Sequence, residues 1–197
     1  PEASRAKPQI PKKWSKLSTA TISYGHGISV SPLHLAIGYS TLVNGGKRIF
    51  PTLLKRSQKN LEHESVISSE TSVKLQNILR NVVESGTARN ASLEDYSIGG
   101  KTGTADKVNF DGPGYHDDKV ITTFVATFPM QQPRYVLVVT LDEPEDWSID
   151  KPMRTAGWTA VPVATEIIQR IAPVLGIIPN TITNSRNMNS SMAKVRN

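Results

Sequence analysis

The chain has 197 residues, 38% apolar and 20% charged, with a formal net charge of +6 and no cysteine. This composition excludes an intrinsically disordered chain, and the absence of cysteine excludes disulfides, thiolate metal sites and a cysteine nucleophile. No apolar run is long enough to cross a bilayer, and the scattered basic residues leave a nucleic-acid-binding class supported by net charge alone.

The first third of the chain predicts an extended entry followed by one helix. Residues 1–16 carry three prolines and predict an extended connection. Ser31 is a good N-cap and Pro32 suits the first helical position, so a helix is predicted from there to the Asn-Gly-Gly stop at 44–46. The glycine-rich lead-in at 24–27, which contains His26, either lines a cleft or forms a packing turn.

The remaining elements alternate helices with a hairpin. We expect a strand in "RIFPTLL" at 48–54 and an amphipathic helix at 70–85. Two strands are predicted at 120–128 and 134–142, joined by a short turn, before a final helix at 155–175. Helices around an antiparallel hairpin indicate an α+β fold. Trp147 and Trp158 are interpreted as packing residues.

The stretch "IGGKTGTADK" at 98–107 carries the chemistry. Lys101 and Thr102 offer a cation and a hydroxyl to a carboxylate. Gly103 leaves the strand bare for a ligand backbone, and the N–H of Thr104 is suited to an oxyanion. The alternative is a glycine-rich turn that leads into an ordinary edge strand.

Several motifs in order resemble one family. "SYGHGISVSPLHLAIGYSTLVNGGKRIFPTLL", a helix, "GTARNA", "IGGKTGTADK" and a hairpin resemble the C-terminal part of a class B penicillin-binding protein transpeptidase domain, in its septal branch. The resemblance covers about residues 14–178. It implies that 17–178 form the later part of that domain, with antiparallel sheet and helices in a penicillin-binding-protein/β-lactamase-like fold. The polar tail at 179–197 is predicted to be disordered.

By the same resemblance, Lys101 and Thr102 bind the terminal carboxylate of a D-alanyl-D-alanine stem peptide or of a β-lactam, along the strand that Gly103 leaves open. Thr104 supplies one oxyanion N–H. The family also uses an S-x-x-K nucleophile and an S-x-N motif. S-x-x-K strings begin at Ser4, Ser148 and Ser191, all in predicted loops or the tail, and S-x-N occurs only in the tail, at 185–187.

The nucleophile is therefore expected outside these residues, and the chain alone is predicted to be inactive. It begins at Pro1, which suggests a piece of a longer protein. The histidines show no metal-binding spacing, so neither a metal nor a cofactor is expected.

The resemblance implies part of a serine-type peptidoglycan D,D-transpeptidase that cross-links stem peptides in septal wall synthesis, serves cell division and cell shape, and binds penicillin. It implies membrane-protein partners of the division machinery, no nucleic acid, and the periplasmic face of the bacterial inner membrane, with an N-terminal anchor outside this chain. The alternatives are a non-catalytic penicillin-recognising or peptidoglycan-binding module and, on charge alone, an anion- or nucleic-acid-binding protein.

Overall fold

A computed structural model describes residues 7–55, 64–148 and 150–181. The chain divides into two compact units, one ending at Leu75 and the other beginning at Gln76. Among the helices within the described ranges, none is long and apolar enough to cross a bilayer.

The first unit is built from short helices with defined caps. Helix α1 spans Lys16–Ser23 and α2 spans Pro32–Val43, while α3, Ser69–Glu84, begins in this unit. In α2 the Ser31 hydroxyl accepts from the N–H of His34 and the His34 ring accepts from the N–H of Ser31, each at 3.3 Å. This reciprocal cap satisfies two N–H groups at the helix start, and it confirms the predicted beginning of α2.

Near the start of the chain, the structure shows one helix that was not predicted and a glycine-rich turn that follows it. Helix α1 was not predicted; it begins at Lys16 because the Ser15 hydroxyl accepts from the N–H of Ser18 at 3.1 Å. The glycine-rich segment after it forms a turn in which Gly25 and Gly27 have φ of 93° and 85°. Glycine is required for such dihedrals, and whether this turn also touches a ligand stays a prediction.

The predicted strand at 48–54 is wrong. Beside this segment the described residues form an isolated bridge between Lys47 and Ser65, and none of residues 48–54 belongs to a strand. Pro51 supplies no N–H to a ladder, and Leu53 and Leu54 are 82% and 67% exposed. The two leucines of this run therefore lack the buried face that stabilises a strand.

A buried serine joins α3 to the end of α2. Ser72 is fully buried; its hydroxyl donates to the carbonyl of Leu42 at 2.6 Å and accepts from the N–H of Gly45 at 3.1 Å. These bonds satisfy backbone groups that the end of a helix leaves without intrahelical partners. Ser72 thus fixes α3 against α2 within the first unit.

The second unit is a three-stranded antiparallel sheet, in the order β1-β2-β3, covered by α4. β1 spans Gly99–Val108, β2 Tyr115–Phe128, β3 Tyr135–Asp142 and α4 Ala160–Ile171. The core lies between one face of the sheet and α4, and it includes Ile98, Phe124, Ala126, Phe128, Val161, Ala164 and Ile168. The α+β fold and both predicted hairpin strands are confirmed.

The last helix is shorter than the predicted 155–175. Pro162 is its third residue, where a missing N–H costs nothing because the first turn has no intrahelical acceptors. Pro173 follows two residues after the end of the helix, as predicted. Residues 155–159 form a bend and turn instead, and they become part of the site.

The far end of β1 is anchored across the sheet. The ammonium of Lys107 lies 2.9 Å from the carboxylate of Asp142 and 2.6 Å from that of Glu143. Hydrogen bonds to Glu143 and then Asp142 raise the pKa of Lys107, so it stays charged at neutral pH. The pair of contacts links the edge strand to the end of β3.

Candidate active site

β1 is an edge strand of the described sheet, and the hydrogen-bond pattern decides which of its backbone groups are free. The carbonyl of Val120 accepts from Glu143 at 2.9 Å and that of Phe128 accepts from Arg134 at 3.2 Å, so both point to the β3 side of β2. Backbone groups alternate in direction along an antiparallel strand. The odd-numbered residues between them, 121–127, therefore bond to β1.

Thr102 and Thr104 consequently direct their backbone groups to the open edge. They lie opposite Phe124 and Thr122, whose backbone N–H and C=O groups point to the β3 side of β2. Residues that lie opposite each other in this way exchange no backbone hydrogen bonds. The N–H and C=O groups of the β1 residue therefore point away from β2. The N–H of Thr104 and the C=O of Thr102 are thus presented side by side at the edge of the sheet.

The side chains of Thr102 and Thr104 line a cleft of about 660 Å³. The opposite walls are the segment that follows α3, residues 85–90, and the turn at 155–158. The lining combines hydroxyl, amide and guanidinium side chains with apolar surface that includes Ala156 and Trp158. A mixed surface of this kind suits a peptide-like ligand, which carries both polar groups and apolar carbon.

Three hydrogen bonds join the walls of this cleft. The hydroxyls of Thr87 and Thr102 lie 2.7 Å apart. The N–H of Ala156 donates to the hydroxyl of Thr104 at 3.1 Å. The side-chain amide of Asn90 donates to the carbonyl of Gly157 at 2.9 Å. β1 is therefore held to both neighbouring loops, which fixes its position before any ligand arrives.

A buried hydroxyl pair supports the turn at 155–158 from behind. The Thr159 hydroxyl lies 3.0 Å from that of Thr122 and 3.1 Å from the carbonyl of Thr155. Thr122 is fully buried and lies opposite Thr104 in the sheet. The core thus connects directly to the turn that bonds Thr104.

Lys101 and Gly103 lie on the face of β1 opposite to the cleft, because side chains alternate along a strand. The exposed Lys101 side chain nevertheless reaches the edge, where its ammonium donates to the outward carbonyl of Thr102 at 2.7 Å. Lys101 therefore does not line the cleft wall, but its charge lies at the strand edge beside the Thr102 carbonyl.

Gly103 differs from the other glycines near the site. A Cβ at Gly103 would meet only the carbonyl oxygen of Thr123, at 3.9 Å. A Cβ at Gly100 would lie 2.5 Å from the carbonyl oxygen of Val125, and one at Gly157 would lie 2.6 Å from that of Thr87. Gly100 and Gly157 are thus required by packing, whereas the described residues give no packing reason for glycine at position 103.

The structure does not pair the described S-x-x-K serine with its lysine. The Ser148 hydroxyl donates to the carboxylate of Asp146 at 2.9 Å, and the Ser148 N–H bonds the same side chain. Ser4, Ser191 and the S-x-N string at 185–187 lie outside the described residues. No metal-ligating cluster occurs within the ranges that the structure covers.

Sequence reasoning missed the loops that complete the cleft. Thr87 and Asn90 belong to the "GTARNA" segment, which helped to identify the family but gave no role to either side chain. Trp158 was interpreted as a packing residue, but it lines the cleft and is 37% exposed. These contacts join residues 15 to 67 positions apart, which no local pattern reveals.

The chain matches one protein family and resembles proteins of known sequence. Residues 2–169 match the family described as penicillin binding protein transpeptidase domain. The chain is 37% identical over 181 residues to a probable peptidoglycan D,D-transpeptidase FtsI of Caulobacter vibrioides, covering 87% of this chain and 31% of that protein.

Two solved structures show the same fold. The transpeptidase domain of Burkholderia pseudomallei penicillin-binding protein 3 is 32% identical with a TM-score of 0.73, over 86% of this chain and 50% of that one. Penicillin-binding protein 3 of Mycobacterium tuberculosis, complexed with ampicillin, is 26% identical with a TM-score of 0.76, over 88% and 42%. The chain thus spans half or less of the length of each of these three proteins.

Proposed function

The chain belongs to the penicillin-binding protein transpeptidase family, and from that premise we propose that it supplies the ligand-binding strand of a serine-type peptidoglycan D,D-transpeptidase. The observation that carries the proposal is the edge of β1. The outward Thr104 N–H and the Lys101 ammonium, which donates to the Thr102 carbonyl, lie at this edge, and the Thr102 hydroxyl lies in the cleft beside it.

In the proposed reaction, the Thr102 hydroxyl and the Lys101 ammonium bind the terminal carboxylate of a D-alanyl-D-alanine stem peptide. A serine from a segment outside this chain attacks the penultimate D-alanine carbonyl. The Thr104 N–H, which points outward, stabilises the oxyanion as it forms. The terminal D-alanine leaves as an amine, and an amine on a neighbouring strand then attacks the acyl-enzyme and releases the serine.

The ligand class and cellular setting are part of the proposal. The Mycobacterium tuberculosis relative is complexed with ampicillin, which supports β-lactam binding as part of the proposal. The name of the Caulobacter vibrioides relative supports a role in septal wall synthesis. We infer a periplasmic location at the inner membrane, anchored outside this chain, with membrane proteins of the division machinery as partners.

A second candidate is a non-catalytic module that holds penicillin or peptidoglycan. The hydroxyl of the described S-x-x-K serine, Ser148, donates to Asp146 and not to a lysine partner. The carboxylate-binding groups of β1 would serve such a module equally well.

The experiment that separates the two uses the complete transpeptidase that carries this chain, here called the complete domain. D-alanine release from an acylated D-alanyl-D-alanine peptide is measured beside covalent labelling by fluorescent penicillin. The transpeptidase proposal expects both activities. Reversible penicillin binding without label or D-alanine release would instead support the non-catalytic module, and no interaction with either ligand would refute both.

A further inference from the structure

The hydroxyl groups of Thr87 and Thr102 form the shortest of the three contacts across the cleft, at 2.7 Å. That distance is typical of a good O–H···O hydrogen bond. Each hydroxyl carries one proton and accepts through its lone pairs, so the pair has two possible directions. In one direction the Thr102 O–H donates a hydrogen bond to Thr87. In the other the Thr87 O–H donates to Thr102, and the Thr102 O–H is then available to donate to a ligand.

We propose that Thr87 is a positioning residue that donates to Thr102 and thereby leaves the Thr102 proton for the carboxylate of the ligand. The inference rests on the proposed function, because it requires an anionic group at Thr102. A carboxylate only accepts hydrogen bonds. If the Thr102 O–H donated to Thr87, the Thr102 oxygen would present its lone pairs to the negative charge.

The bound anion therefore selects one direction, from Thr87 through Thr102 to the carboxylate. In such a chain each bond polarises the next and strengthens it. The bond to Thr87 also holds the Thr102 hydroxyl in one rotamer, so its orientation is set before the ligand binds.

The backbone around Thr87 is held firmly enough for this role. The Thr87 carbonyl oxygen packs closely against Gly157, and a Cβ added at Gly157 would lie 2.6 Å from that oxygen. The next residue, Ala88, is fully buried and its N–H donates to the carbonyl of Val82 at 3.1 Å. Within the part of the chain that the structure describes, Thr102 is the only recorded hydrogen-bond partner of the Thr87 hydroxyl.

The test compares Thr87→Val, which keeps the shape and loses the hydroxyl, with Thr87→Ser, which keeps the hydroxyl, in the complete domain. The second-order acylation rate is measured with benzylpenicillin and with its carboxyl methyl ester. Loss of one neutral hydrogen bond predicts a decrease of about two- to tenfold for the acid in Thr87→Val. Thr87→Ser should restore the rate, and the ester, whose neutral carbonyl accepts a weaker hydrogen bond than a carboxylate, should lose less than the acid in Thr87→Val.

A double-mutant cycle adds a second readout. In a Thr102→Val background, Thr87→Val should cause no further loss with benzylpenicillin, because its effect passes through the Thr102 hydroxyl. An equal loss with acid and ester, or an undiminished effect in the Thr102→Val background, would assign Thr87 a structural role and overturn the inference. A normal rate for Thr87→Val would also overturn it. Failure of the unaltered complete domain to react with penicillin would instead refute the proposed function itself, and this inference with it.

Discussion

Substitution of Gly103 separates ligand docking from folding. A Cβ at this position meets only the Thr123 carbonyl oxygen, at 3.9 Å, which is an ordinary contact. We expect Gly103→Val to change the free energy of unfolding of the complete domain by no more than about 0.5 kcal/mol, since no packed neighbour must move. The ligand backbone, however, is proposed to run between the outward groups of Thr102 and Thr104, directly past this residue.

A side chain at 103 starts from the face of β1 opposite to the cleft, but its branches extend toward the strand edge, which the Lys101 side chain reaches from the same face, and they should displace the ligand there. A misplacement of about 1 Å at a reacting centre can lower the rate on the order of a hundredfold. The second-order rate of acylation by fluorescent penicillin should therefore fall at least about tenfold in Gly103→Val, while thermal unfolding and circular dichroism stay near those of the unaltered protein.

Gly100→Ala is the matched control for Gly103→Val. Its Cβ would lie 2.5 Å from the Val125 carbonyl oxygen and 2.7 Å from the ring of Phe124. Overpacking of this kind costs about 1–3 kcal/mol, so this variant should lose stability. Undiminished acylation in Gly103→Val would show that the strand edge is not the docking surface, and a large fall in its stability would refute the packing argument.

Three further predictions concern charge, a buried hydroxyl and the core. Lys101→Ala should lower acylation of the complete domain about ten- to a hundredfold, from loss of a charge-assisted hydrogen bond; unchanged rates would remove Lys101 from the site. Ser72→Ala loses two buried hydrogen bonds and should cost about 1–3 kcal/mol in urea unfolding, and a neutral effect would contradict its role in joining α2 and α3. Ile168→Ala, at a fully buried position of α4, should cost about 2–5 kcal/mol by the same measurement, and less than 1 kcal/mol would contradict the described core.

The sequence predicts the elements whose determinants are local. Ser31 and Pro32 mark the beginning of α2, and Asn44 with the following glycines marks its end, because capping depends on adjacent residues. The hairpin strands are recognisable for the same reason. The segment at 48–54 has the apolar and β-branched residues of a strand, but whether it pairs depends on a distant edge that no local pattern specifies.

Some features of the site also have local determinants in the sequence, whereas others depend on distant parts of the chain. The "KTGT" string identifies the strand and the groups that it carries, but not which backbone groups face outward. That follows from the register of β1 on β2, which places Thr104 opposite Thr122. The walls contributed by Thr87 and the turn at Ala156 come from distant parts of the chain, and only the folded structure brings them to Thr102 and Thr104.

The most direct test of the central claim is to locate the covalent penicillin adduct by peptide mass spectrometry, with this chain alone and with the complete domain. We expect no denaturation-resistant label on the chain alone. In the complete domain we expect one labelled serine, on a segment outside these 197 residues, with labelling that falls in Lys101→Ala and Gly103→Val. A stable adduct on Ser4, Ser148 or Ser191 would contradict the claim that this chain binds the ligand while another segment supplies the nucleophile.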